Sequence, residues 1–578
     1  MRGKLDTLLK EDSIGFIVRS RFQQNAEEER ASLYHAGREL NNKKSKLLRL
    51  KSQDKVLSDQ EAIEEEVVGF FGALFNGHHD TNLIDRGSPF IPDNTHLQEI
   101  LGDVASMDRV ESEKLEVDIS IEELDFVIKK CATNKAPGLD GISYEFYKCT
   151  WDIIKETFLS VLQCQLNRQQ LIQSDKIGVT RLIPKVSVTP KVDELRPITL
   201  LNCDYKILSK VLVLRMKPVM PLVIKSGLLC SVGSKNILFG ASNILSSILY
   251  VNQRKLGACL LSLDFFKAYD WVFIPFLLCV MKKMGFGAIF CQWIGMLHAG
   301  AQTRFILASL SRAISVSFSI RQGDPIAMLL YIIYIEPLLV FIEKRAVGLR
   351  MLAVPDQNNP IIGNNTASSC SQCIEAYCDD VNVLTSNEAD LVLVDQAVCK
   401  FEAVSGAILS RNKKCSIMGL GTWKNRINWP LHYIKVVKDV KIFGIFMHNS
   451  YMHILKLNWE HRFRNFEKAV FSWSSRVLNI FQRVEVIKVF GLSRTFYVAS
   501  FLPLSKTISQ KFEKLIRRFI WSSSGHLLKV ALEELKLPTN RGGLGLKCIH
   551  RMGSSLSLTQ TLRLLKYGEF KSKFCLSY

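Results

Sequence analysis

Tyr377-Cys378-Asp379-Asp380-Val381-Asn382-Val383-Leu384 sets two adjacent carboxylates between an apolar, aromatic approach and a strand-like run. A tight hairpin would carry both acids at its turn. There they stay ionised together only if a divalent cation offsets their repulsion; otherwise the pair is an ordinary solvated turn. A third acid weighs between these readings. Leu260-Leu261-Ser262-Leu263-Asp264 is an apolar strand pattern ending at a carboxylate, after which Phe265-Phe266-Lys267-Ala268-Tyr269-Asp270 turns toward a helix. Carboxylates on rigid neighbouring strands are what two-metal phosphoryl transfer needs. Its two ions sit about 4 Å apart, one lowering the pKa of an attacking 3′-hydroxyl and the other neutralising the leaving pyrophosphate. Hard oxygen donors select Mg²⁺ or Mn²⁺ over zinc. Asp264, Asp379 and Asp380 are therefore the candidate catalytic and metal-holding residues.

At 578 residues, 47% of them hydrophobic, the chain has room for two or three domains with a sizeable core and is not of the disordered class. Its 75 Lys and Arg against 55 Asp and Glu leave a formal charge of +20, which favours a polyanionic partner, with a membrane surface as the rival reading. The longest apolar run, Ile326 to Ile335, stops at Glu336-Pro337, short of the roughly 20 residues a membrane span needs. Met1-Arg2-Gly3-Lys4-Leu5-Asp6 lacks an apolar signal core. Fifteen cysteines form no repeated framework. Cys131, Cys164 and Cys279 fall in apolar settings typical of reduced core thiols, so an intracellular, reducing compartment is expected. Cys370-Ser371-Gln372-Cys373 has no second pair or nearby His and reads poorly as a zinc site.

The order of short motifs along the chain resembles the reverse transcriptase of LINE-type (non-LTR) retrotransposons. Asn134-Lys135-Ala136-Pro137-Gly138-Leu139-Asp140-Gly141 is similar to that family's opening finger motif. Leu182-Ile183-Pro184-Lys185 and Leu195-Arg196-Pro197-Ile198 are similar to its nucleotide-facing finger motifs. Asp264 and the Asp379-Asp380 pair then stand in its first and third palm motifs, with Arg321-Gln322-Gly323-Asp324-Pro325 in the one between. Ser405-Gly406 through Lys413, Lys441-Ile442-Phe443-Gly444 and Arg541-Gly542-Gly543-Leu544-Gly545-Leu546 resemble later ones. The resemblance runs from about residue 10 to 550.

The resemblance implies an α+β, right-hand polymerase: fingers, a palm with an antiparallel sheet, and a helical thumb. Residues 1–110 would form a charged helical connector, 111–448 the fingers and palm, and 449–578 the thumb and a C-terminal segment. The sequence pattern agrees in outline. Residues 18–68, rich in Glu, Lys, Arg and Gln, read as one or two long charged helices, either solvated or touching RNA. Ser120-Ile121-Glu122-Glu123 is a capping box opening a helix. Beyond 450, Trp459, Phe463, Phe466, Val470, Trp473, Val477 and Leu478 recur at helical spacing and read as core. Arg462, Arg464, Lys468, Arg476 and Arg483 interleave with them, and Lys511, Lys514, Arg517 and Arg518 continue a basic face suited to duplex phosphates.

By resemblance, Lys185 and Arg196 grip an incoming triphosphate; the alternative is an ordinary surface cation. Tyr269 stands where the family usually has Phe, and its ring would exclude a ribose 2′-hydroxyl, making deoxynucleotides the substrate. Gln322 and Gly323 would lie beside the nascent base pair, or Gly323 is a plain loop glycine. Tyr377 would pack near the primer end or be a buried strand tyrosine. Lys413 fits a lysine near the triphosphate, with Lys414 the competing register. Asp270 is read as structural, at a helix start. The partners implied are template RNA, primer DNA and deoxynucleoside triphosphates, in nucleus or cytoplasm, with no membrane.

The chain also departs from the family pattern. Between Lys225 and Lys235 the family shows a glutamine followed by Gly-Arg, where this chain has Leu228 and Ser234-Lys235, which puts template contacts in question. An upstream endonuclease and a C-terminal Cys/His knuckle are missing from this sequence, so the expectation is a truncated copy able to polymerise but not to nick and prime its own target. Two other functions stay open: a catalytically inactive or domesticated RNA-binding remnant, and an intron-maturase-like protein, for which no dedicated segment follows the thumb.

Overall fold

The computed structural model describes residues 49–567 apart from 53–54, 78–89, 186–188, 231–232, 234, 353–368, 412–413 and 522–530. The chain divides into two compact units, the larger built on Leu47–Lys438 and the smaller on Asp439–Leu576.

In the larger unit, the expected charged helix is instead an antiparallel hairpin over Leu50–Ser52 and Lys55–Leu57, followed by helix α1, Gln60–Phe75. Asp59 starts that helix by accepting the Ala62 N–H. Helix α1 is not a solvated rod, because Val67, Phe71 and Phe75 are buried and Phe71 meets Phe305 at 5.2 Å. The part of this expectation before residue 49 lies outside the described residues. Helix α2, Ile121–Lys130, opens on the capping box read from the sequence, Ser120 and Glu123 each bonding the other's backbone N–H.

Nine strands build two sheets: β1 Ile177–Pro184, β2 Leu195–Leu200, β3 Gly257–Asp264, β4 Gln302–Ile306, β5 Ile314–Ser315, β6 Ile374–Tyr377, β7 Asp380–Thr385, β8 Ser416–Gly421 and β9 Lys435–Val436. One sheet has the order β2-β1-β4-β5 and the other β6-β7-β3-β8-β9. The second is antiparallel apart from β8 with β9. Strand β3 lies at its centre and reads as a near-continuous apolar run because both of its faces are covered.

Three helices supply much of the core: α3 Cys203–Val223, α4 Ala327–Arg345 and α5 Glu388–Ser405. The apolar run that ends at Glu336-Pro337 belongs to α4, whose residues from Leu329 to Ile342 are all buried; a helix apolar all round belongs in a core. Among the described residues no helix is long and apolar enough to cross a membrane. Glu336 is fully buried yet satisfied, accepting the N–H groups of Lys225 and Ser226 at 2.7 and 3.0 Å and the Ser226 hydroxyl at 2.6 Å. Burial pushes its carboxyl up to about 7. Of the cysteines read as core thiols, Cys131 is buried, whereas Cys164 and Cys279 are exposed on the outer faces of their helices.

The smaller unit opens with a hairpin of β10, Asp439–Ile442, and β11, Ile445–His448. Its turn, Phe443-Gly444, has positive φ at both positions (50° and 78°), the form that matches strand twist in a two-residue hairpin. Helices α6, Tyr451–Phe471, and α7, Lys506–Trp521, follow. Trp459, Phe463 and Phe466 of α6 converge edge-on upon Phe512 of α7, so the aromatic stripe is core. The basic face is smaller than the sequence suggested. Lys511, Lys514, Arg517 and Arg518 are exposed opposite buried Phe512, Leu515 and Phe519. Arg476 and Arg483 are buried instead: Arg483 donates to the carbonyls of Leu478 and Phe519, and Arg476 lies over Trp473. Val477, expected in the core, is exposed beyond the end of α6.

Candidate active site

Strands β6 and β7 pair as Tyr377 with Asp380, leaving Cys378 and Asp379 as the two-residue turn, with Cys378 at φ 55°. Strand β7 then pairs with β3, Val381 opposite Leu263 and Asp380 opposite Asp264. Residues directly opposite in an antiparallel pair share a face with Cβ atoms about 5 Å apart. The register of buried valines and leucines therefore brings carboxylates some 115 residues apart in the chain to one end of one sheet.

These acids repel one another. Desolvation, then the Asp379 and Asp264 charges, push Asp380 up to about 6. Asp379 is raised by desolvation and, among charges, chiefly by Asp264. Asp264 is relieved by Lys414, whose Nζ lies 2.9 Å from its Oδ2. A cluster of carboxylates held against their own repulsion is a donor set for hard divalent cations, and these three residues fit such a group.

Lys185 and Arg196 stand at adjoining ends of β1 and β2, where Ile183 pairs with Arg196. Both side chains are exposed. Desolvation by partial burial lowers the Lys185 pKa, as do the charges of Lys414 and Arg196, while Asp264 and Asp270 act in the opposite sense. Lys185, Arg196 and Lys414 thus share an electrostatic neighbourhood with the acids. Lys413 lies outside the described residues, and Lys414 is the lysine found on Asp264.

The Arg321 to Pro325 segment is pinned at both ends. Arg321 is buried with its guanidinium 4.7 Å from the Tyr205 ring centroid, and Asp324 accepts both the Tyr205 and Ser209 hydroxyls at 2.5 Å. Between them, the Gln322 carbonyl accepts the Thr199 N–H of β2 at 2.7 Å, and its side-chain amide donates to Asp270 Oδ1 at 2.9 Å. Gly323 has φ 125°, and a Cβ there would sit 2.2 Å from the Thr199 carbonyl oxygen. Close approach of protein backbone accounts for this glycine. Asp270 lies in a turn, not at a helix start, and it is fully buried. Burial raises its carboxyl to about 6 against the pull of Lys267 and the Gln322 bond.

Tyr269 stacks on Tyr331 at 4.7 Å and 24°, and its pKa is raised first by burial and next by the neighbouring Cys378 thiol, immediately before Asp379. Tyr377 is half-buried, and burial with the Cys230 thiol pushes its phenol up to about 12. Leu228 is fully buried and bridges Ala376 of β6, with the Leu229 N–H donating to the Ala376 carbonyl at 2.9 Å. At the position where the sequence departs from its expected pattern, the leucine extends the edge of this sheet. Of that segment, Ser234 lies outside the described residues.

The sequence reading missed Lys414 as the partner of Asp264, Asp270 as the anchor of Gln322, and the buried ends Arg321 and Asp324. A carboxylate and a guanidinium flanking a Gln-Gly pair were a usable signal for the last two. The Lys414 contact depends on how the chain returns from β7 to β8, which no local pattern encodes.

Residues 183–446, which include all three carboxylates, match the family described as reverse transcriptase (RNA-dependent DNA polymerase). Across 97% of its length the chain is 26% identical to a Xenopus laevis protein named "Transposon TX1 uncharacterized 149 kDa protein". The chain spans 41% of that relative.

Proposed function

We propose that this chain, whose residues 183–446 match the reverse transcriptase family, is an RNA-directed DNA polymerase of the non-LTR retrotransposon kind that extends a DNA 3′ end with deoxynucleotides on an RNA template. The supporting observation is the register that sets Asp380 opposite Asp264 with Asp379 in the adjoining turn. In this reading Asp264, Asp379 and Asp380 hold two Mg²⁺ ions. When bound, such ions lower the pKa of the primer hydroxyl and offset charge on the departing pyrophosphate.

The other residues act around that centre. Lys185 and Arg196 take the triphosphate, a compact ammonium beside a planar guanidinium. Lys414, paired with Asp264, adds a third cation beside the expected Lys413. The Tyr269 ring, braced by Tyr331, stands as the wall that excludes a 2′-hydroxyl. Gln322, steadied by Asp270, lies beside the nascent base pair, and Tyr377 beside the primer end. The sheet β2-β1-β4-β5 is read as fingers, the sheet carrying the acids as palm, and the helices after 450 as thumb. In this reading the chain is of the right-hand polymerase class, with residues 1–110 as its connector.

Purified chain with an RNA template, a DNA primer and Mg²⁺ tests the proposal. Extension with deoxynucleotides but not ribonucleotides, lost in Asp264→Asn, is the expected result. Tight RNA binding without extension in the wild-type chain would leave the RNA-binding remnant as the better reading.

A further inference from the structure

The smaller unit carries a second set of ligating side chains, which polymerisation does not use. Asp439 and His448 face each other across the β10–β11 hairpin, paired in register. Tyr451 opens α6 three residues after His448, and this places His453 in the first turn of the helix. Asp439 Oδ1 lies 3.4 Å from His453 Nε2, and the two imidazole rings have centroids 4.2 Å apart. One ligand atom from each of the three residues lies within 4.8 Å of the other two.

Donor atoms around a tetrahedral zinc sit about 3.3 Å apart, given metal bonds of about 2.0–2.1 Å, so modest rotamer adjustment closes this set onto an ion. Two imidazoles with one carboxylate suit a borderline-soft transition metal better than Mg²⁺. The His rings are half-buried while Asp439 is exposed, which leaves a solvent side for further ligands. His448 accepts the Ser450 N–H at Nδ1 (2.8 Å); ligation through that nitrogen exchanges the hydrogen bond for the metal at the same lone pair. The bland competitor is a simple pair between the Asp439 carboxylate and a protonated His453. It leaves unexplained why a second imidazole lies against the first.

We propose that Asp439, His448 and His453 bind one divalent ion of the zinc class, with water completing its coordination, and that the ion staples the β10–β11 hairpin to the first turn of α6.

The full chain, stripped with chelator and held in excess Mg²⁺ to occupy hard-oxygen sites, is titrated with Co²⁺ as a spectroscopic substitute for zinc. The expected result is saturation at a single equivalent, with the visible bands of a nitrogen and oxygen site and no thiolate charge-transfer band. Affinity should fall about tenfold or more in His453→Gln and in His448→Gln, and stay unchanged in Asp264→Asn. Circular dichroism confirms that each variant is folded, and Asp439→Asn serves as a third probe should a His variant fail to fold. Affinity unchanged in the His variants, a thiolate band, or no binding together with a His453 imidazole that titrates as the partner of Asp439, would each overturn the proposal.

Discussion

Replacing Gly323 by alanine adds two costs together at a position where neither can be relieved cheaply. At φ 125° an L side chain is strained, at a cost of about 1–3 kcal/mol. The new Cβ would also lie 2.2 Å from the Thr199 carbonyl oxygen, more than 1 Å inside an ordinary contact of 3.4 Å, and overpacking of that kind adds about 1–3 kcal/mol. Strand β2 cannot retreat, because Thr199 is paired with Thr180 of β1 and their hydroxyls are 2.8 Å apart. The segment from 321 to 324 cannot retreat without disturbing Arg321 and Asp324. We expect Gly323→Ala to lose about 4 kcal/mol of stability, or to fold only by moving Gln322 off Asp270. Gly141→Ala is the control, since Gly141 has φ 74° with nothing within 4 Å of its added Cβ, and should lose only about 1–2 kcal/mol. Chemical unfolding of both variants, with single-nucleotide incorporation by Gly323→Ala, measures the contrast. Equal stabilities for the two variants, together with wild-type incorporation by Gly323→Ala, would refute the close-approach argument.

Arg215→Met should cost about 3 kcal/mol, because the buried guanidinium bonds Glu123 through Nε and Nη2 and the carbonyls of Leu115 and Asp118, and its loss strands Glu123; equilibrium unfolding reads this, and Glu123→Gln in the same chain should recover part. The raised Asp380 pKa predicts two opposed pH trends. As pH rises from 3.8 toward about 6, the metal-free protein loses the stability contributed by the protonated group, whereas affinity for Mn²⁺ grows because only the carboxylate binds it. Mn²⁺ titrations at pH 5 and 7.5 giving one affinity would contradict this. Lys414→Met should change stability by less than about 1 kcal/mol, since the ion pair is half-exposed, yet slow incorporation by about 10²-fold; a rate equal to wild type removes Lys414 from the site.

The acidic site was legible because its parts are local: an apolar strand ending at Asp264 and a hairpin turn at Asp379 leave few ways to pair. What the sequence hid is tertiary. Asp270 looked like a helix-start acid, and only the approach of Gln322 turns it into an anchor. Leu228 looked like a lost template contact, yet it packs along the edge of β6. Arg476 and Arg483 fit a basic stripe by spacing, but the helix stops at Phe471 and the chain beyond it folds both inward. The hairpin at 50–57 escaped detection because its charged residues alternate weakly and carry a helical composition. Asp439, His448 and His453 went unnoticed although they fall within fifteen residues, because their spacing matches no ligand pattern and only a strand pairing and a helix start bring them together.

Polymerisation at the acidic cluster turns most directly on whether the Asp379 carboxylate is needed for catalysis rather than for folding. Single-turnover incorporation of one deoxynucleotide on an RNA template, at saturating Mg²⁺, compares the wild-type chain with Asp379→Asn. The expected result is a rate lower by about 10³-fold or more in the variant, with RNA affinity and unfolding midpoint retained. Incorporation at the wild-type rate by a folded Asp379→Asn chain would contradict it.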